Sequence, residues 1–265
     1  MRFTEPSMKE SMKLATWNVN SLNVRLPHVM KWLEENPTDV LAIQETKLTD
    51  DKFPLAELEA AGYHVAYTGQ KTYNGVAIIS RLPIHDIVKN NPKFEDAQQR
   101  IIAGTIDGVR VVCAYVPNGQ AVGSEKFEYK MAWLNAFHDW IKEQAAQYPQ
   151  LAVVGDYNIA PEDRDVHDPA AWEGMVHVSP EERAQLKRLL EIGLTDAFRM
   201  FEQADKSFSW WDYRSLGFRL NKGLRIDHLL LSDALKQRCT ACIIDRVPRK
   251  WEQPSDHTPV IATFA

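Results

Sequence analysis

The sequence predicts an α/β fold of two mixed β-sheets packed face to face, with helices outside. Two observations predict it. Short β-like runs outnumber the helical stretches. The two kinds of segment also do not alternate strictly, which disfavours a plain doubly wound parallel sheet. With 265 residues, of which 45% are hydrophobic, the chain can bury a large core without disulfide staples. Residues 12–265 show no internal repeat and no low-complexity linker, so they are expected to form one domain. Residues 1–11 are expected to be a short N-terminal extension, with Met12 an alternative start.

The elements follow from pattern. Runs rich in β-branched and aromatic residues at 13–19, 40–44, 64–67 and 76–80 read as strands. Segments 99–106 and 109–116 flank Asp107-Gly108, a pair suited to the two φ > 0 positions of a type I′ hairpin turn. Segments 151–154, 225–231, 241–245 and 260–264 complete the strands. Leu26, Val29, Met30 and Leu33 mark one helical face; Phe127, Met131, Leu134, Phe137, His138 and Ile141 mark a longer one. Ser179-Pro180-Glu181-Glu182 reads as a capping box with proline in the first turn; Leu186, Leu189 and Leu190 follow, and Gly193 is the stop.

Composition narrows the function classes. The formal charge of −5 gives no global positive field, though a local basic groove is compatible with it. No run reaches the ~18–20 apolar residues of a membrane helix, and residues 1–11 lack the apolar stretch of a secretory signal. Three cysteines, Cys113, Cys239 and Cys242, cannot all pair, which together with the missing signal predicts a cytoplasmic protein. Cys239 and Cys242 match C-x-x-C, but no four-ligand zinc set or thioredoxin-like context accompanies them, so a structural reading is favoured. Glycine-rich phosphate loops, H-E-x-x-H and G-x-S-x-G are absent.

Chemistry collects at strand ends. Asn18 and Asn20 end the first strand, Gln44 and Glu45 the second. The run 151–154 leads into Gly155-Asp156-Tyr157-Asn158, and Ser255-Asp256-His257 precedes the last strand. Asp227 lies within an apolar run, where a buried charge needs a partner; a histidine is the natural one. Any one of these alone is equally a loop-start acid or an Asx turn. Together they offer an acid and an amide on one side of an extended segment, plus an imidazole polarised by a carboxylate. Oxygen donors at Glu45 and Asp256, with Asn18 or Asn158, suit Mg²⁺ or Mn²⁺ rather than zinc.

The ordered set Asn18, Gln44-Glu45, Tyr115-Val116-Pro117-Asn118, Gly155-Asp156-Tyr157-Asn158, Arg225-Ile226-Asp227 and Ser255-Asp256-His257 resembles the exonuclease III-like AP endonucleases, from Met12 to Phe264. Asn74-Gly75-Val76-Ala77 and the block 208–214 resemble them too, the latter their DNA-repair branch. The resemblance implies a four-layer α/β sandwich, with two packed mixed sheets flanked by helices. It also implies Mg²⁺-dependent cleavage of phosphate esters in double-stranded DNA at abasic sites, nicks or 3′ ends. Glu45 would ligate the metal, aided by Asn18 or Asp256. Asp156 would take the proton of the attacking water or serve as leaving-group acid, and Asn158 would orient water or phosphate. His257, polarised by Asp227, would bind a non-bridging oxygen; Tyr115 would stabilise the phosphate or the leaving oxygen.

For substrate, the same resemblance sets Trp210 at the sugar pocket. Asn118, Lys71, Tyr73, Lys126, Arg214, Arg219 and Lys222 become candidate DNA contacts. His167, in the loop after the catalytic strand, is expected to narrow that pocket and favour 3′ ends over extruded abasic sugars. The protein is expected to act as a monomer. Two other readings remain at this stage: an inositol- or lipid-phosphate esterase on the same fold, and a non-catalytic DNA-end binding module.

Overall fold

The computed structural model describes residues 11–265, so the predicted extension lies, but for Ser11, outside the described residues. The strands are β1 (Met12–Asn18), β2 (Val40–Gln44), β3 (His64–Thr68), β4 (Val76–Ser80), β5 (His85–Lys89), β6 (Ile101–Ile106), β7 (Val109–Tyr115), β8 (Leu151–Asp156), β9 (Thr195–Asp196), β10 (Trp210–Trp211), β11 (Gly223–Leu224), β12 (Asp227–Leu231), β13 (Cys239–Ile244) and β14 (Val260–Phe264). The helices are α1 (Leu22–Glu35), α2 (Leu55–Ala60), α3 (Glu125–Gln147), α4 (Pro169–Trp172), α5 (Pro180–Glu191) and α6 (Asp233–Lys236).

Two six-stranded sheets form, in the orders β13-β14-β1-β2-β4-β3 and β5-β6-β7-β8-β12-β9. Leu14, Val40, Ala42 and Ile78 of the first sheet meet Val111, Cys113, Val154 and Leu229 of the second in a shared core. The opposite faces are covered as well. Ala15, Trp17, Leu41 and Ile43 pack on Val29, Trp32 and Leu33 of α1. Val112, Ala114 and Val153 pack on Phe137 and Ile141 of α3 and Leu186 and Leu189 of α5. Central strands buried on both faces explain why their sequences run continuously apolar instead of alternating. The expected four layers are present.

Each sheet is antiparallel except for one central parallel pair, β1 with β2 and β7 with β8. Parallel strands deliver their C-terminal residues side by side. Asn18 therefore stands opposite Gln44, and Tyr115 opposite Asp156. Strand β12 runs antiparallel to β8, so its first residue, Asp227, pairs with Asp156 at the same end. The start of β14, antiparallel to β1, brings His257 there too. The site is thus a consequence of topology.

Local expectations fare well where a physical rule is specific. Ile106 pairs with Val109 across Asp107 (φ 47°) and Gly108 (φ 76°), the two positive-φ positions the hairpin needs. Helix α5 has the Ser179–Glu182 capping box. Strand ends shift: the expected 99–106 begins at Ile101, and 225–231 at Asp227, so Asp227 opens its strand and is not interior to it. Asp227 is buried all the same, and so is Arg225, its guanidinium shared between Asp165 and Asp196. Elements β5, β9, α2, α4 and α6 were too short or too exposed to show a period. Cys239 and Cys242 are free thiols on β13, in keeping with a structural role.

Gly155 is fixed by this packing. Its φ is +148°, and a Cβ there would stand 1.8 Å from the carbonyl oxygen of Ala114 on the neighbouring parallel strand. Gly155→Ala must separate β7 from β8 directly beside Tyr115 and Asp156. It should cost about 3 kcal/mol or more, as backbone strain and overpacking add. Urea unfolding would show this as a lower midpoint at unchanged slope.

Candidate active site

At the end where the strand termini meet, Asp156 is the centre. It is buried, and each oxygen accepts a hydrogen bond: Oδ1 from the Asn158 backbone N–H (2.9 Å), Oδ2 from Asn18 Nδ2 (2.9 Å). The same Asn18 amide donates to Glu45 Oε2 at 2.7 Å. One carboxamide thereby bridges the two carboxylates contributed by the two sheets. His257 completes the line. Its Nδ1 faces Asp227 Oδ2 at 2.9 Å, and its Nε2 stands 3.5 Å from Asp156 Oδ2. Ser209 donates from Oγ to Asp227 Oδ2 (2.6 Å) and accepts from the Asp227 N–H, which locks the carboxylate in place.

The electrostatics follow from this order. Burial disfavours a charge on His257, but Asp227 and Asp156 outweigh it and raise the imidazole to about 10. It is therefore imidazolium at neutral pH. Burial, reinforced by Asp227, pushes Asp156 up to about 7 against the pull of His257 and the donated hydrogen bonds. Burial, then the charges of Glu45 and Asp156, hold the Tyr115 phenol well above its usual range, so it stays a neutral donor.

Among the described residues, Glu45, Asp156 and His257 place one donor atom each within 4.8 Å of one another. A protonated His257 offers no lone pair, which leaves the two carboxylates. Their hard oxygens fit a hard divalent cation. The other expected ligands, Asn18 and Asp256, accept hydrogen bonds. The Asn18 amide oxygen accepts the Asn20 N–H at 2.9 Å and keeps a second lone pair, while its Nδ2 spaces the two carboxylates. Asp256 turns Oδ1 to Asn20 Nδ2 (3.1 Å) and Oδ2 to Trp210 Nε1 (3.0 Å).

Asn158, at φ +49°, donates from Nδ2 to the Val116 carbonyl at 2.9 Å. Beside Glu45 and Tyr115 opens a cleft of about 480 Å³, whose lining includes Tyr73, Arg100, Asn118, Lys126 and Tyr129. Three of the candidate DNA contacts, Tyr73, Asn118 and Lys126, are thus gathered there. Lys71, Arg219 and Lys222 are exposed outside that lining. Arg214 is exposed with its guanidinium on Asp212. Trp211 is core, packed edge-on against Phe218, whereas Trp210 is half-buried beside the site. His167 stands across β11 from Trp210: Trp210 pairs with Leu224, Val166 bridges Leu224, and the His167 N–H donates to the Gly223 carbonyl.

Sequence reasoning missed Ser209, Arg100, Lys130 and His177. Ser209 lay inside the quoted 208–214 block and was legible as the residue before Trp210. Arg100 holds Tyr115 from above, its guanidinium 4.8 Å from the ring and on the Tyr115 carbonyl at 3.1 Å. Nothing local in the sequence marks it.

Comparison with known proteins gives the family. The model of the endonuclease/exonuclease/phosphatase family matches residues 15–257. Exodeoxyribonuclease III of Haemophilus influenzae is 36% identical over 96% of this chain and 100% of its own. The structure of the 3′ phosphatase NExo from Neisseria, bound to a product DNA hairpin, superposes with a TM-score of 0.95 at 45% identity, covering 96% of this chain and 99% of that one. An AP endonuclease from Archaeoglobus fulgidus gives 0.92 at 37% identity, with the same coverage. With these acids, amides and the histidine in one constellation, the chain belongs to the endonuclease/exonuclease/phosphatase family.

Proposed function

We propose that this protein is a Mg²⁺-dependent DNA-repair nuclease that processes 3′ ends of duplex DNA, as 3′–5′ exonuclease and 3′-phosphatase, with internal abasic sites disfavoured. The observation that carries the hydrolytic reading is Asp156, buried with both oxygens held as acceptors, beside an imidazolium and next to Tyr115 and Glu45, which line the cleft. Relatives named as 3′ phosphatase, 3′–5′ exonuclease and exodeoxyribonuclease III support it, at 36–45% identity over nearly the full chain. No described helix is long and apolar enough to cross a membrane.

The roles follow from the atoms. A carboxylate that only accepts hydrogen bonds is poised as a base, so Asp156 takes the proton of the attacking water and the Asn158 amide orients that water. His257, kept charged by Asp227, binds a non-bridging phosphate oxygen. The Tyr115 phenol donates to the phosphate as negative charge builds on it. Glu45 would hold the cation, Mg²⁺ or Mn²⁺, which supplies positive charge for the phosphate and the leaving oxygen. Tyr73, Asn118 and Lys126 contact the DNA strand along the cleft, and Arg214 contacts it once its guanidinium leaves Asp212.

His167 supports the end-processing preference. Its ring Nδ1 lies 3.2 Å from the Gly223 carbonyl and its face meets Trp172 edge-on, so the ring is held across β11 from Trp210. A frayed terminal nucleotide needs less room there than an extruded internal sugar. His167→Gly should raise the ratio of abasic-site to 3′-phosphate cleavage by about tenfold or more. An unchanged ratio would remove His167 from the account.

A further inference from the structure

Behind the reacting groups lies a buried ion pair that the chemistry above does not use. Lys130 of α3 and Glu182 of α5 both have fully buried side chains. Such pairs contribute little net stability, so the partners of their atoms deserve the question of purpose. The Lys130 ammonium donates to Glu182 Oε1, to the Asn118 carbonyl (3.1 Å) and to the Asn158 carbonyl (2.8 Å), which uses all three protons. Asn118 follows β7 and Asn158 follows β8, so one ammonium ties together the two loops that leave the central parallel pair.

The Asn158 carbonyl has a second donor. His177 Nδ1 lies 2.8 Å from it. Burial, then the Lys130 charge, holds His177 down to about 4, so the ring is neutral and donates through Nδ1. Glu182 is closed in turn by the His177 N–H (2.9 Å) and Ser179 Oγ (2.6 Å). Asn158 itself sits in left-handed backbone, a conformation that neighbours must hold in place.

We propose that Lys130 is a positioning residue: by fixing the Asn158 carbonyl against the Asn118 loop, it aims the Asn158 amide at the water or phosphate beside Asp156. The proposal rests on the role given to Asn158 above. It predicts that activity depends on the carbonyl contacts of Lys130 and not on the ion pair as a packing element.

The test uses the full chain on a nicked duplex bearing a 3′-phosphate, with Mg²⁺. The double variant Lys130→Met/Glu182→Met removes both charges at similar volume but leaves the Asn118 and Asn158 carbonyls and the His177 N–H without these partners, so its thermal midpoint should fall, and rates are compared at a temperature where it is folded. Its kcat should fall about tenfold or more with KM within about threefold, as expected for a misplaced catalytic group. Asn158→Gly deletes the amide without straining the φ +49° backbone. In that background the Met pair should change kcat by less than about twofold, because the group it positions is gone. Lys130→Gln/Glu182→Gln, which keeps uncharged donors, should recover part of the loss, and the same comparison can be run with it if the Met pair does not fold. Wild-type kcat in a well-folded double variant, or an equal loss in the Asn158→Gly background, overturns the proposal. Full activity in Asn158→Gly alone would instead overturn the role of Asn158.

Discussion

Asp156→Asn should lower kcat on a nicked 3′-phosphate duplex by about 10³-fold, within the range general acid–base groups contribute, while the fold survives. The amide matches the carboxylate in shape, but it cannot accept a proton. Wild-type pH dependence gives the role independently. Asp156 is raised to about 7, and a base must be ionised. As pH falls through that value the carboxylate is lost, so kcat/KM should decline toward tenfold per unit on the acid side. Because a bound cation favours the anion, raising Mg²⁺ should move this limb to lower pH. If Asp156 were the leaving-group acid, the same ionisation would make the rate fall as pH rises. The sign of the limb therefore separates the two roles.

Glu45→Gln should raise the Mg²⁺ concentration needed for half-maximal rate, and lower the saturated rate, by about 100-fold in combination, since even outer-shell partners of metal ligands cost 10–100-fold. The substitution keeps a hydrogen-bonding side chain at the end of β2 but removes the charge facing Asn18 Nδ2. Glu45 already sits 3.6 Å from Lys47, so the neutral variant leaves that ammonium as the nearest cation and repels a divalent ion further. A magnesium titration of the rate, with chelator as the zero point, measures both effects. An unchanged requirement would place the metal elsewhere.

Much of this site was legible because its signals are local. Asp156 and Asn158 share one strand end, and Glu45 follows the apolar run 40–43 and Gln44. Asp227 was conspicuous as an acid among apolar residues, and its partner proved to be His257. The fold was legible for a similar reason: the 107–108 turn and the Ser179 cap each demand particular residues at particular positions. What escaped was long-range. Lys130 reads as one more helical lysine, and only the packing of α3 on α5 buries it beside the Asn118 and Asn158 carbonyls. Arg100 reads as one residue of the expected strand 99–106; it reaches Tyr115 only because β6 pairs with β7. Spacing also could not show which hydrogen bonds the expected metal ligands make, such as that from the Asn20 N–H to the Asn18 oxygen.

The central claim is metal-dependent hydrolysis directed at 3′ ends. The most direct measurement compares three duplexes side by side, with Mg²⁺ and with chelator: an internal abasic site, a nick bearing a 3′-phosphate, and a recessed 3′-hydroxyl end. The account predicts Mg²⁺-dependent phosphate release and stepwise trimming at the 3′ ends, with weak cleavage at the internal abasic site, all lost in Asp156→Asn. Rapid cleavage at the abasic site with little action on 3′ ends would contradict the end-processing reading, and turnover undiminished by chelator would contradict the metal-dependent one.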